Sequence, residues 1–149
     1  MKLQFEKYNA QIEFDYKGDD FMIESDIIHL TNVVYNLIEN ALKYSKNPQI
    51  NLNLTDEPDK ICLTVKDNGL GIPKEYQNKI FDKFFRVPQG DVHDIKGYGL
   101  GLSYVKSVVE KHNGTITVES ELNQGSIFKI TLYKVWRKPK FYMPKMSLF

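Results

Sequence analysis

The chain has 149 residues, 42% apolar and 26% charged, with a net charge of +1; at about 100–200 residues per domain this is one globular unit, long enough to bury roughly 70% of its unfolded surface. A single cysteine, Cys62, and three histidines exclude a disulfide-stapled secreted scaffold and argue against a Cys/His zinc site. Residues 134–149 hold five basic and no acidic side chains, which leaves 15 basic against 19 acidic residues in the first 133, and a mildly acidic body is not that of a nucleic-acid-binding domain.

No apolar run reaches the ~18 residues of a membrane span, and no apolar segment follows the N-terminal charges, so neither a span nor a secretion signal is expected. Ile12, Phe14 and Tyr16 alternate with polar residues and predict a strand, Gly18-Asp19-Asp20 a turn, and Phe21 to Ile23 a second strand. From Asp26, apolar residues at Ile27, Leu30, Val34, Leu37, Ile38 and Ala41 have the spacing of one buried helix face. Ser25 or Asp26 caps its start and Asn47-Pro48 ends it.

QINLNL and ICLTVKD set Ile50, Leu52 and Leu54, then Ile61, Leu63 and Val65, on one side each, and predict a hairpin through residues 56–59. Cys62 faces away from Ile61 and Leu63 and reads as a small packing residue. A second helix runs from about Gly99 to His112, buried through Leu102, Val105, Val108 and Val109, and stops at Asn113-Gly114. His29 and His112, on the two helices, read as structural. TITVESE and SIFKITLY flank Asn123-Gln124-Gly125 and complete a sheet. The string predicts an α+β fold, a two-layer sandwich with helices on one face of the sheet.

Residues 72–98 fit no regular layer and are too long for an ordinary connection, which points to function. Pro73 suits the first turn of a short helix, and Tyr76, Ile80 and Phe84, with Phe81 and Phe85, recur at helical spacing. A mobile loop carrying an apolar helix is a lid.

Gly69, Gly71, Gly97, Gly99 and Gly101 cluster at the two ends of this segment. The second cluster, GYGLGLSYVK, opens a helix, whose free N–H groups and positive end can receive phosphate oxygens. It is neither a Rossmann fingerprint nor a GxxxxGK[ST] loop. Asp67 ends a strand beside two glycines, where its carboxylate either accepts a bond from a base amino group or simply shapes an Asp-Asn-Gly turn. Asn36 and Asn40 share one helix face at the edge of the apolar stripe, with Lys43 and Tyr44 one turn on. Asparagine is a poor helix former; either both amides face solvent, or they serve magnesium, which takes amide oxygens and leaves most charge balance to a polyphosphate.

These segments resemble a known family. NLIENALKYS is similar to the N box of the sensor histidine kinases, DNGLGIP to their first glycine box, FDKFFRV to their F box and GYGLGL to their second glycine box, while HNGTITVESELNQGSIFKITL resembles the closing hairpin of the same domain. The match covers about residues 5–133. It implies the Bergerat ATP-binding fold of the GHKL superfamily, shared with gyrase, MutL and related chaperones: a mixed, mostly antiparallel sheet, helices on one face and a mobile ATP lid. The domain would span residues 1–133 with the lid at about 72–98, followed by a basic aromatic tail or connector at 134–149.

Carried over by position, the resemblance makes Asn40 the principal Mg2+ ligand with Asn36 supporting it. Lys43 and Tyr44 would contact phosphate and nucleotide, and Asp67 the adenine amino group, with Gly69 and Gly71 making room for the base. Gly97, Gly99, Leu100 and Gly101 would present backbone to the phosphates, and Ile72, Lys96, Tyr98 and Leu102 would complete the nucleotide-binding set. Phe81, Phe84 and Phe85 would anchor the lid, Arg86 would reach the terminal phosphates, and Ser126 would lie near the base. Asn36, Lys43 and Arg86 carry the expected catalytic roles.

Members of the superfamily that hydrolyse ATP have a glutamate general base where this chain has Asn36. An amide cannot take the proton of an attacking water, so the γ-phosphoryl group is kept for another nucleophile. Glu39 is rotated by about 100° from Asn40 on a helix and is expected off the magnesium face. The implied activity is transfer from Mg-ATP to a histidine on a separate dimerisation domain of the same parent protein, with a response regulator downstream. The chain would be cytoplasmic, monomeric as a fragment, and in contact with neither nucleic acid nor membrane. A stand-alone ATPase and a non-catalytic nucleotide-sensing module are the competing expectations. His93-Asp94 imitates the start of the acceptor signature but continues into Gly97-Tyr98 inside the lid, and reads as a coincidence. Trp136, Phe141 and Tyr142, interleaved with lysines, give the tail its character.

Overall fold

The computed structural model describes residues 2–88 and 97–134. The chain opens with a short helix α1, Lys2–Tyr8, which periodicity did not reveal, and continues into strand β1, Gln11–Lys17. The strand expected at Phe21 to Ile23 does not form: residues 18–26 are irregular. The reason is competition for backbone donors. Asp56 Oδ2 accepts from the N–H groups of Asp19 and Asp20, and Asp20 Oδ1 from that of Met22, so this segment is satisfied by carboxylates rather than by a ladder.

Helix α2, Ile27–Lys43, starts where expected, with Asp26 Oδ1 accepting from Ile28 N at 2.9 Å and His29 N at 3.1 Å. It ends at Lys43, several residues before Asn47-Pro48. Its buried stripe is Val33, Leu37, Ile38, Ala41 and Leu42, with Leu30 and Val34 partly buried. Ile27 is in phase with that stripe yet 77% exposed.

Strands β2, Gln49–Asp56, and β3, Lys60–Asp67, form the expected hairpin. A 3-10 turn at Lys74–Tyr76 and further turns through Phe84 replace the expected short helix. Helix α3, Gly101–Lys111, begins two residues later than periodicity suggested and buries Val105, Val108 and Val109. It stops where Asn113 turns to φ 55° and Gly114 N–H bonds back to Val109 O. Strands β4, Thr115–Glu121, and β5, Gly125–Tyr133, close the chain.

The five strands lie in the order β1-β2-β3-β5-β4; β1 pairs with β2 in parallel and the other pairs are antiparallel. This is the α+β sandwich with a mixed, mostly antiparallel sheet. Its core joins Leu37 and Leu42 of α2 and Val105 and Val109 of α3 to Ile50, Val65, Phe128 and Ile130 of the sheet. Cys62 is buried on the hairpin, with its Sγ 3.3 Å from Glu57 Oε1. No helix among the described residues is long and apolar enough to cross a membrane. The expectations for Lys96, for His93-Asp94 and for the tail from residue 135 lie outside the described residues.

Candidate nucleotide-binding site

One cavity of about 540 Å³ lies between α2, the end of β3 and the start of α3. Its first wall is α2. Asn36, Asn40, Lys43 and Tyr44 all line it, as their spacing predicts. Asn36 Nδ2 donates to Asn32 O at 2.8 Å, which directs Oδ1 toward α3, 2.8 Å from where a Cβ would stand on Gly101. Among the described residues no three His, Cys, Asp or Glu side chains group as metal ligands. What this wall offers a cation is amide oxygen, the hard donor that magnesium accepts while phosphate oxygens and waters supply the rest.

Glu39 corrects one expectation. It lines the same cavity, with Oε1 3.1 Å from Lys43 Nζ. A 100° step along a helix still falls on a wide cavity wall, and the flexible glutamate reaches its lysine one turn on.

The second wall is the end of β3. Asp67 is buried, and its Oδ1 accepts from Gly69 N at 2.8 Å and from Ser126 N at 3.3 Å. Burial raises its carboxyl above the ordinary range, against the two backbone bonds that favour the charged form. Ser126 faces Asp67 in the β3–β5 ladder. Ser120 Oγ donates to Gly125 O, so Ser126 Oγ donates in turn to Ser120 Oγ at 2.9 Å and keeps its lone pairs for an acceptor role beside Asp67. Gly71 and Ile72 line the cavity. Gly69 does not; it packs behind Asp67.

Ser120 and Gln77 were not legible as site residues. Ser120 Oγ accepts from Ile72 N at 2.8 Å, and Gln77 Nε2 donates to Ile72 O at 2.9 Å and Ser120 O at 2.8 Å, so together they pin the segment that follows the glycine turn. Only the β4–β5 register, which opposes Ser120 to Ser126, could have pointed to them.

The third wall is the start of α3. Gly97, Tyr98, Gly99, Leu100, Gly101 and Leu102 line the cavity, and no side chain caps the helix. Its first-turn N–H groups have no intrahelical acceptor and meet the cavity at the positive end of the helix. Phe85, Arg86 and Ile80 also line the cavity, together with Val87 and Phe128, which sequence patterns did not single out. Phe81 packs against the core instead of lining the cavity. Phe84 departs from its expected anchoring role: it is 72% exposed at φ 64°, while its N–H bonds Gly99 O at 2.9 Å. The backbone, not the ring, ties this turn to the glycine segment.

Comparison with known proteins bears on this geometry. Residues 25–135 match the family described as histidine kinase-, DNA gyrase B- and HSP90-like ATPase. The sensor protein RprX of Bacteroides fragilis (strain YCH46) is 46% identical over 133 residues, a match covering 87% of this chain and 26% of that protein. The sensor histidine kinase WalK of Bacillus subtilis (strain 168) is 36% identical over 116 residues, covering 76% of this chain and 19% of its own length. The chain therefore spans about a quarter or less of these relatives. The nucleotide-free catalytic domain of histidine kinase ThkA superposes with a TM-score of 0.76 at 30% identity, covering 89% of this chain and 86% of that one. ThkA in complex with the response regulator protein TrrA matches with a TM-score of 0.73 at 26% identity, covering 90% and 37%.

Proposed function

Because this chain belongs to the histidine kinase-, DNA gyrase B- and HSP90-like ATPase family and has the fold of a histidine kinase catalytic domain, we propose that its cavity binds Mg-ATP and delivers the γ-phosphoryl group to a histidine on a separate domain. The observation that carries this reading is a buried carboxylate, an amide-bearing helix and an uncapped helix start on one cavity. Each is matched to one part of the nucleotide: base amino group, metal-bridged phosphates and terminal phosphate oxygens.

Asp67, held by Gly69 and Ser126, keeps one carboxylate orientation for the adenine amino group. Asn40, supported by Asn36, would hold magnesium, whose bound charge would neutralise the triphosphate. Lys43 and Arg86 line the cavity as cations for the phosphates. Asn36 supplies no base for water, so the domain would position the γ-phosphoryl group rather than hydrolyse it. Residues 1–133 form the proposed catalytic unit and 134–149 the connector. The partners would be a dimerisation domain of the parent protein and a response regulator, on the cytoplasmic side.

The test uses ATP labelled at the γ-phosphorus and a separately prepared dimerisation domain. Label that is acid-labile and base-stable on that domain is expected, with phosphate release far slower than transfer. Binding without labelling would leave a nucleotide-sensing module, and steady phosphate release by the chain alone would make it an ATPase.

A further inference from the structure

Among the described residues, Glu39 is the one charged group on the cavity wall that the proposed chemistry leaves without a task. It lines the cavity with Asn36, Asn40 and Lys43, and its carboxylate lies 3.1 Å from the Lys43 ammonium. As a half-exposed i to i+4 pair it adds little to folding. Its place on a wall built for a triphosphate makes it unfavourable for binding in two ways. The carboxylate repels the ligand's negative charge, and it holds the ammonium that would otherwise meet a phosphate.

We propose that Glu39 is an affinity-limiting residue: it holds Lys43 in the ligand-free domain, and nucleotide must displace it to reach the lysine. Binding then exchanges one ion pair for another, so Lys43 contributes only the difference between them. This inference rests on the triphosphate reading above and adds to it a residue whose removal strengthens binding. A carboxylate serving as a metal ligand predicts the opposite sign, since magnesium binds carboxylate oxygen well.

The test is calorimetric titration of the full chain with Mg-ATP and with adenosine. Glu39→Gln keeps the shape and removes the charge. It should bind Mg-ATP about three- to tenfold more tightly, leave adenosine affinity unchanged, and lose part of the gain as salt is added. In a Lys43→Met background the gain should shrink, because no ammonium remains to be released. Glu39→Ala should move in the same direction, and thermal midpoints recorded alongside identify any variant that fails to fold. Unchanged Mg-ATP affinity in a folded Glu39→Gln chain overturns the proposal and leaves a surface ion pair. Weaker binding that appears only with magnesium overturns it and makes Glu39 a metal ligand. A wild-type chain that takes up no Mg-ATP overturns the triphosphate reading itself, which normal wild-type binding with an unresponsive variant does not.

Discussion

The side-chain oxygen of Asn36 stands 2.8 Å from the point that a Cβ would occupy on Gly101. Two helices far apart in sequence therefore meet across the cavity at an amide and a missing methyl group. A methyl at Gly101 would displace the end of a side chain, not backbone. Gly101→Ala should therefore fold, with alanine favoured in a helix by about 1 kcal/mol, yet lose roughly tenfold or more in Mg-ATP affinity as the Asn36 amide is moved. Gly71→Ala is the contrast. At φ 71° its Cβ would come 2.0 Å from Glu121 O, and a loss of about 2–4 kcal/mol in unfolding free energy is expected. Denaturant titration and calorimetry on both variants check the pair; equal stability loss in the two would contradict it.

Asp67→Asn should separate binding from folding. The amide oxygen can still accept from Gly69 N–H, and the variant no longer buries a carboxylate, so its stability at neutral pH should match or exceed wild type. ATP affinity should fall by about 1.5–3 kcal/mol, the value of a hydrogen bond to a charged acceptor, or roughly 10- to 100-fold.

Asp67 and Asp56 should respond to pH with opposite signs. Burial raises the Asp67 carboxyl, so the folded state holds its proton more tightly than the unfolded chain does. Its contribution to stability is present below the ordinary carboxylate range and is lost as pH rises through the raised folded value. ATP affinity needs the ionised form, and should fall on acidification before an ordinary carboxylate would protonate. Asp56 is held low, first by its bond from the Lys134 ammonium and then by Asp20 N–H. Its contribution is present above the ordinary range and lost as pH falls toward the lowered folded value. Unfolding curves against pH for wild type, Asp67→Asn and Asp56→Asn read the two slopes. An Asp56→Asn chain with wild-type acid sensitivity would sink the second assignment.

Asn40→Ala should abolish the tightening of triphosphate binding by magnesium while leaving adenosine affinity in place. Titrations with and without the ion give the ratio directly. If magnesium tightens ATP as much as in wild type, the ligand lies elsewhere.

His112 joins the two helices away from the cavity. Its Nε2 accepts from Asp26 N–H at 3.1 Å, and its Nδ1–H donates to Val108 O at 2.8 Å. His112→Ala removes this bond to the N-cap residue of α2, whose exposed N–H passes to water, at a cost of about 0.5–1.5 kcal/mol, the net worth of one hydrogen bond. A thermal midpoint lower by a few degrees with unchanged ATP affinity is expected. A large loss of affinity would mean that the α2–α3 junction tunes the cavity.

Much of the fold was legible because its signals are local. Asp26 caps α2, Asn113-Gly114 ends α3, and period-two alternation marks β2 to β5. Two errors share a cause. Phe21 to Ile23 has strand composition but does not pair with β1, although β1 lies at a sheet edge, because the backbone donors of Asp19, Asp20 and Met22 are held by Asp56 and Asp20. Ile27 has the right helical phase but stays largely exposed. Composition and phase report what a segment could bury; only the neighbours decide whether it does.

The same division runs through the site. Sequence by itself determined the residue types and their order: two amides one turn apart, a carboxylate before a glycine turn, a helix opening on glycines. Tertiary structure alone decided that Asp67 meets Ser126, that Asn36 meets Gly101 and that Phe84 faces outward. Helical and strand periodicities are set by covalent geometry within a few residues. Contacts across 59 residues, such as Asp67 with Ser126, and across the still longer separation of Asn36 from Gly101 depend on the strand order β1-β2-β3-β5-β4 and on how far each helix extends over it, which no local pattern encodes.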